Sequence, residues 1–244
     1  MGRQYIEPMH WLRVALLPSQ CEVCRLWSCA RLCPDCATRF AAPVARCERC
    51  ALRLPGGATI CGACLNQQPP QRHAVCVADY AFPWDSLIAA FKFQGQAELA
   101  GAFAPLLARA VDQASVSRAA QPAPELLLPV PLVAGRLRER GYNQAWELAR
   151  RVARLQGIRA RADLLSRPVE TAHQAELPRK QRLANLRAAF IVEPGGRSAI
   201  DGRHVVLLDD VWTTGATVRE CAAVLLRAGA ASVDAWVLAR TPEH

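Results

Sequence analysis

No apolar run in this 244-residue chain approaches the roughly 20 residues that a bilayer-spanning helix requires. The opening stretch, Met1 to Pro18, has Glu7, His10 and Arg13 breaking its apolar residues, so it lacks the unbroken hydrophobic segment of a secretion signal. A short amphipathic helix over residues 1–20, packed as a lid, is expected there instead, in a soluble cytoplasmic protein. Cysteine is nearly missing from most of the chain: of 11, only Cys76 and Cys221 lie outside the interval from Cys21 to Cys64. That distribution excludes a disulfide scaffold spread through the fold. The cysteine-rich interval has few large aliphatic residues, so it cannot build an apolar core of its own and needs another source of cohesion.

The spacing supplies one. Cys21 and Cys24, Cys33 and Cys36, Cys47 and Cys50, and Cys61 and Cys64 are four pairs each separated by two residues. Such a pair suits a tetrahedral metal better than a mutual disulfide or an iron–sulfur cluster. Two structural zinc ions with four cysteines each is the economical count. Short loops favour sequential pairing, with Cys21, Cys24, Cys33 and Cys36 in one site and Cys47, Cys50, Cys61 and Cys64 in the other. A cross-braced pairing stays open on sequence grounds, and Cys29 is either a spare thiol or a replacement for Cys33. The formal net charge is +9. Bound as thiolates, eight cysteines remove eight charges and two zinc dications restore four, leaving about +5. The chain stays basic, but net charge alone makes a weak case for nucleic acid, because an arginine surplus also arises in GC-rich genomes.

The stretch from Val205 to Thr217 carries the chemistry. Four aliphatic residues, Val205-Val-Leu-Leu208, read as a strand buried on both faces. The strand ends on Asp209 and Asp210, a small loop Thr213-Thr-Gly-Ala-Thr217 follows, and Val218 to Gly229 has helical spacing and a glycine stop. Gly215 and its small neighbours let the backbone approach an anion, the next helix presents free N–H groups, and three hydroxyls add donors, so one phosphate is the natural occupant. Two carboxylates beside a phosphate cradle make sense if the ligand also carries vicinal hydroxyls or a divalent metal. A ribose 5-phosphate unit meets both demands. All thirteen positions resemble the 5-phosphoribosyl-1-pyrophosphate (PRPP) motif of type I phosphoribosyltransferases. The resemblance implies that Thr213, Thr214, Gly215, Ala216 and Thr217 hold the 5-phosphate, and that Asp209 and Asp210 face the ribose hydroxyls as catalytic residues, with magnesium accompanying PRPP.

Upstream, composition shifts after Asn66-Gln-Gln-Pro-Pro-Gln71, which sets the expected organisation: an N-terminal helix at 1–20, a zinc module at 21–68 and a second domain at 69–244. Ala74 to Phe82 reads as a first strand with Cys76 as a core thiol, Trp84 to Gly95 and residues 97–118 as helices, and Leu126 to Leu132 as a short strand closed by two prolines. A loop near Pro131 to Gly135 precedes Arg136, Arg138 and Arg140. These have the charge to meet a diphosphate, with Arg136 and Arg140 the main candidates. A helix is expected from Ala145 to Leu155, and strands at Ala160 to Leu165, Ala189 to Val192 and Ser232 to Arg240. The polar stretch between Ser166 and Leu186 sits where a mobile cover would lie, with Thr171, Gln174, Arg179, Lys180 and Arg182 as its candidates and His173 as a surface residue. Strands alternating with helices give an α/β protein with a parallel sheet of five or six strands.

The cysteine-rich head, Pro129-Val-Pro-Leu, Arg140-Gly-Tyr-Asn-Gln, Thr171-x2-Gln, Asn185-Leu-Arg-x2-Phe190 and Leu208-Asp-Asp-Val-x-Thr-Thr-Gly-Ala-Thr, in that order, resemble the ComF family, also labelled ComFC or GntX. The likeness runs from about Cys21 to Arg240. It implies a parallel-sheet type I phosphoribosyltransferase fold with a small N-terminal double zinc ribbon, in proteins of natural competence. The implied partners are PRPP, single-stranded DNA and a DNA-uptake helicase or other competence protein, without membrane insertion. One departure is local: Val133-Ala-Gly stands where the family pattern suggests a polar or basic run. Trp27 and Phe40 are candidate stacking groups for DNA, or the miniature core of the head. The alternative is an active phosphoribosyltransferase of nucleotide or cofactor metabolism with no DNA role. No nucleobase pocket is recognisable, so the acceptor stays undefined.

Overall fold

The computed structural model describes residues 19–116, 118, 120–168 and 189–242. The head comes first, with β1 (Ser19–Gln20), β2 (Trp27–Ser28), α1 (Pro34–Phe40) and α2 (Gly62–Asn66). Then follow β3 (Ala74–Asp79), α3 (Trp84–Phe93), a 3-10 turn at Ala97–Leu99, α4 (Ala100–Val116), β4 (Leu126–Pro129), α5 (Ala134–Arg140), α6 (Gln144–Gln156) and β5 (Arg159–Ala160). The remainder is β6 (Leu165–Ser166), β7 (Ile191–Val192), α7 (Arg197–Ile200), β8 (His204–Trp212), α8 (Ala216–Arg227) and β9 (Ser232–Arg240). Of residues 1–20, where the N-terminal helix was expected, 1–18 lie outside the described residues, and Ser19 and Gln20 form β1 rather than helix.

Five strands make one sheet in the order β3-β9-β8-β4-β5, and every neighbouring pair is parallel. The aliphatic runs of β4 and β8 occupy its middle, as strands covered on both faces must. On one face Leu127, Val206, Leu208 and Leu238 pack with α3, α4 and α6. On the other, Leu128, Val205, Leu207 and Val237 pack with α8 and Ile200. Cys76 is buried in this second core. The head contributes to both cores: Cys21, Cys33 and Cys36 join the first, and Cys47, Cys50, Cys61 and Cys64 the second.

Local chemistry sets the boundaries. Asn143 caps α6, accepting from the N–H groups of Ala145 and Trp146, and Gly157 ends that helix in the left-handed region. Three sequence expectations are corrected. The strand expected over Ala160 to Leu165 divides: β5 joins the sheet, and the chain then bends at 162–164 so that Leu164 and Leu165 enter the second core and Leu165–Ser166 pairs with β7. The strand expected over Ala189 to Val192 shortens to Ile191–Val192 and pairs antiparallel with β6, outside the main sheet. The loop expected up to Gly135 ends earlier, since α5 starts at Ala134 and carries all three arginines. No helix among the described residues is long and apolar enough to cross a membrane.

Candidate functional site

With all five strands parallel, the ends of β4, β8 and β9 gather on one edge, where a ligand meets loop backbone and helix N-termini. Thr213, Thr214 and Gly215 link β8 to α8 there. Gly215 has φ +78, and a Cβ built on it would stand 2.4 Å from Trp212 Nε1 and 2.6 Å from Cε2. Only glycine fits, because the loop backbone folds directly over the buried indole. The Trp212 Nε1 donor has no hydrogen-bond partner among the described residues. Thr213 and Thr214 are exposed, Ala216 and Thr217 half-buried, and the Thr214 hydroxyl accepts from Ala216 N at 3.4 Å. The structure thus brings all five loop residues together at the positive end of α8, a set of donors complementary to an anion.

The two acids separate. Strand alternation turns Asp209 toward α8, where Cys221 and Arg167 feel its charge, and turns Asp210 toward α3. Asp210 is 3% exposed; its Oδ1 lies 2.8 Å from Lys92 Nζ, and its Oδ2 is buried with no partner among the described residues. Asp209 accepts from Asp210 N at 2.9 Å. Burial, reinforced by the negative charge of Asp210, pushes the Asp209 carboxyl up to about 7, against the pull of the Asp210 N–H, Lys92 and Arg140.

Arg140, at the end of α5, stacks its guanidinium 4.9 Å from the centre of the Phe93 ring, and its charge reaches Asp209. Arg136 is exposed and engaged with Glu139 at 2.8 Å. The structure therefore brings Arg140, but not Arg136, into electrostatic contact with Asp209. The cover candidates Thr171, Gln174, Arg179, Lys180 and Arg182, with His173, lie outside the described residues. Sequence reasoning missed Lys92 and Arg167, the latter stacked 5.2 Å from the Phe190 ring centre. Lys92 carried a signal: the chain has only two lysines, Lys92 and Lys180, among 30 basic residues, and this one interrupts the apolar end of α3. Arg167, on a polar stretch full of arginines, carried none.

In the head, the four cysteine sulfurs of each group lie within 4.8 Å of one another, and the groups are Cys21, Cys24, Cys33, Cys36 and Cys47, Cys50, Cys61, Cys64. A tetrahedral zinc with bonds of about 2.3 Å sets sulfur–sulfur edges of about 3.8 Å. Cys24 and Cys33 stand 3.7 Å apart, Cys50 and Cys61 3.6 Å. The two groups repeat one local design. Arg25 and Ala51, each directly after the first knuckle, are left-handed at φ 62 and φ 57, and their N–H groups donate to Cys21 O and Cys47 O at 2.9 and 2.8 Å. Cys21 N and Cys47 N then donate to Leu26 O and Leu52 O. Pairing is sequential, and the residues fit a structural zinc at each group. Cys29 is exposed and belongs to neither. Phe40 packs against the first core and Phe82, whereas Trp27 is 71% exposed.

One guanidinium ties the second group to the phosphate loop. Arg240, at the end of β9, is 4% exposed. Its Nε donates to Cys50 O at 3.2 Å, and its Nη1 donates to Thr213 O and Thr241 O, each at 2.5 Å, with a longer contact to Trp212 O at 3.4 Å.

Comparison with known proteins agrees with this architecture. The model of the phosphoribosyl transferase domain family matches residues 110–244. The chain is 36% identical over 231 residues to the DNA utilization protein YhgH of Salmonella typhi, covering 92% of this chain and 98% of that one. It is 36% identical over 194 residues to Competence protein F of Haemophilus influenzae, covering 80% of this chain and 84% of that one. Among solved structures, the glutamine PRPP amidotransferase of B. subtilis aligns with 48% of this chain and 22% of its own at 20% identity, with a TM-score of 0.33.

Proposed function

This chain belongs to the ComF family, and we propose that it acts in natural competence as a cytoplasmic PRPP-binding protein whose zinc-stapled head meets single-stranded DNA. The observation that carries the PRPP reading is Gly215, held left-handed over Trp212 at the mouth of α8 and three residues beyond the end of β8, which does not stop on the acids as the sequence suggested but runs two residues past Asp210. Loop N–H groups and the Thr213, Thr214 and Thr217 hydroxyls hold the 5-phosphate. Asp209, when ionised, accepts from the ribose hydroxyls. For Asp210 to do the same, Lys92 must let go, and its freed ammonium then has the right charge for the diphosphate, beside Arg140. Magnesium bound with the ligand would neutralise part of the diphosphate charge, with the acids as its protein contacts. Zinc supplies cohesion to the head and no chemistry.

The DNA contact is assigned to Trp27, an exposed indole on β2 just after the first knuckle of a basic protein, whose flat face suits an unpaired base. The alternative, pentosyl transfer to an acceptor, uses the same residues: the acids stabilise the developing positive charge of the ribose as pyrophosphate leaves. Calorimetry with PRPP, with and without magnesium, tests the common premise. Saturable binding that disappears in Asp209→Asn is expected, and a parent protein that takes up no PRPP defeats the reading. Release of pyrophosphate in the presence of a candidate acceptor decides for the enzyme.

A further inference from the structure

We infer that Arg240 is a positioning residue that makes anion binding at the phosphate loop depend on the second cysteine group, a relation that rests on the reading of Thr213 to Thr217 as a phosphate cradle. In a trans peptide the C=O and the following N–H point in opposite directions. Arg240 draws the Thr213 carbonyl inward, so the Thr214 N–H is aimed away from the guanidinium; the preceding carbonyl, Trp212 O, is already held by Thr241 N at 2.9 Å, with Arg240 a longer second contact. One buried cation thereby sets a donor at the centre of the loop.

The position of that cation is in turn set from the head. Its Nε is held by Cys50 O, and Cys50 is a member of the second group. The next carbonyl, Ala51 O, accepts from Arg46 Nη1 at 3.1 Å, and the same nitrogen lies 2.7 Å from Asp79 Oδ1. Asp79 ends β3 and is the register partner of Arg240 on β9. The Cys50-Ala51 segment is thus clasped from both sides against the sheet edge that carries the loop. The first group is anchored elsewhere: Arg31 bonds Glu98 in the 3-10 turn, and Trp84 Nε1 donates to Phe40 O at 2.7 Å. Metal bound by Cys47, Cys50, Cys61 and Cys64 therefore bears on the loop, and metal bound by the other four cysteines does not.

The test uses the full-length zinc-loaded protein. Arg240→Lys keeps the charge but loses the fork that reaches both carbonyls, and is expected to weaken PRPP binding about tenfold, the scale of one charged hydrogen bond, while zinc release to a colorimetric chelator becomes faster for one of the two ions. Arg72→Lys is the control, since Arg72 pairs with Asp234 at the opposite end of β9. It should lower the melting temperature and move neither readout. Cys61→Ser, in the second group, should weaken PRPP binding; Cys24→Ser, in the first, should not. Equal PRPP affinity in Arg240→Lys and parent, or equal losses in the two cysteine variants, overturns the inference. If Arg240→Lys does not fold, amide exchange at residues 213–217 decides, rising in Cys61→Ser alone if the strut exists and equally in both variants if it does not. A parent protein that binds neither PRPP nor inorganic phosphate fails the cradle itself, a result distinct from loss of the strut alone.

Discussion

Lys92 Nζ stands 2.8 Å from Asp210 Oδ1, an ion pair whose side chains are 19% and 4% exposed. Removing the cation leaves a carboxylate in the interior beneath the site, with its other oxygen already unpartnered among the described residues. Breaking such a pair from one side costs about 3 kcal/mol or more, chiefly the penalty of the stranded charge. Lys92→Met should therefore destabilise the protein by about that amount in urea unfolding, and Lys92→Met combined with Asp210→Asn should recover most of the loss. A double variant no better than the single one would mean that the pair is not what holds α3 to β8.

The Asp209 carboxyl is raised to about 7 from an ordinary 3.8, so the folded protein binds a proton there that the unfolded chain has already released. The sign follows from linkage: this group contributes stability that is fully present below about pH 4, fades as pH rises through 7, and is then gone. Ligand binding runs the other way, because ribose hydroxyls and a magnesium ion want the ionised form. PRPP affinity should rise between pH 6 and pH 8 in calorimetry, and Asp209→Asn should abolish that dependence along with most of the binding. A flat profile in the parent would place the ligand out of reach of Asp209.

The same pair shows how far the sequence could be read. The acids, the loop and the helix after them were legible together, because a strand, a glycine turn and a helix N-terminus are local events with local signatures. The pairing of the knuckles was legible for the same reason. That Asp209 and Asp210 part to opposite faces follows from strand alternation, but what each one meets there does not. Lys92 is 118 residues away in the chain, and its meeting with Asp210 is made only when β8 takes its place in the sheet beside α3. β6 and β7 were misread for a related reason: two-residue strands take their partners from tertiary context rather than from propensity.

Gly215 offers a sharper test of the loop. In Gly215→Ala the new methyl meets the Trp212 ring, which is 1% exposed and has no room to retreat, and the backbone must still hold φ +78. Strain of this kind costs about 1–3 kcal/mol before the clash is counted, so Gly215→Ala should melt earlier and lose phosphate binding. Adding Trp212→Leu opens the space and leaves only the backbone strain, so the double variant should regain part of the stability lost. If Gly215→Ala were as stable as the parent, the loop would not lie over the indole as described.

The head should respond to metal as a single chain with two independent staples. Eight cysteines in two groups predict two zinc ions per chain by elemental analysis, and Cys29→Ser should leave that number unchanged because Cys29 is exposed and outside both groups. Both groups are built into the cores under the sheet rather than hung from it, with Cys21 and Cys47 fully buried. Chelation should therefore do more than unfold a peripheral ribbon. It withdraws the ligand-to-metal cohesion that replaces an apolar core in the head, and it leaves unligated thiols buried within both cores of the sheet. The expected outcome is a lower melting temperature for the whole protein, followed by Trp fluorescence, with β-sheet and head lost in one transition. A chelated protein in which the sheet melts at its original temperature would show that the head contributes nothing to the stability of the fold beneath it.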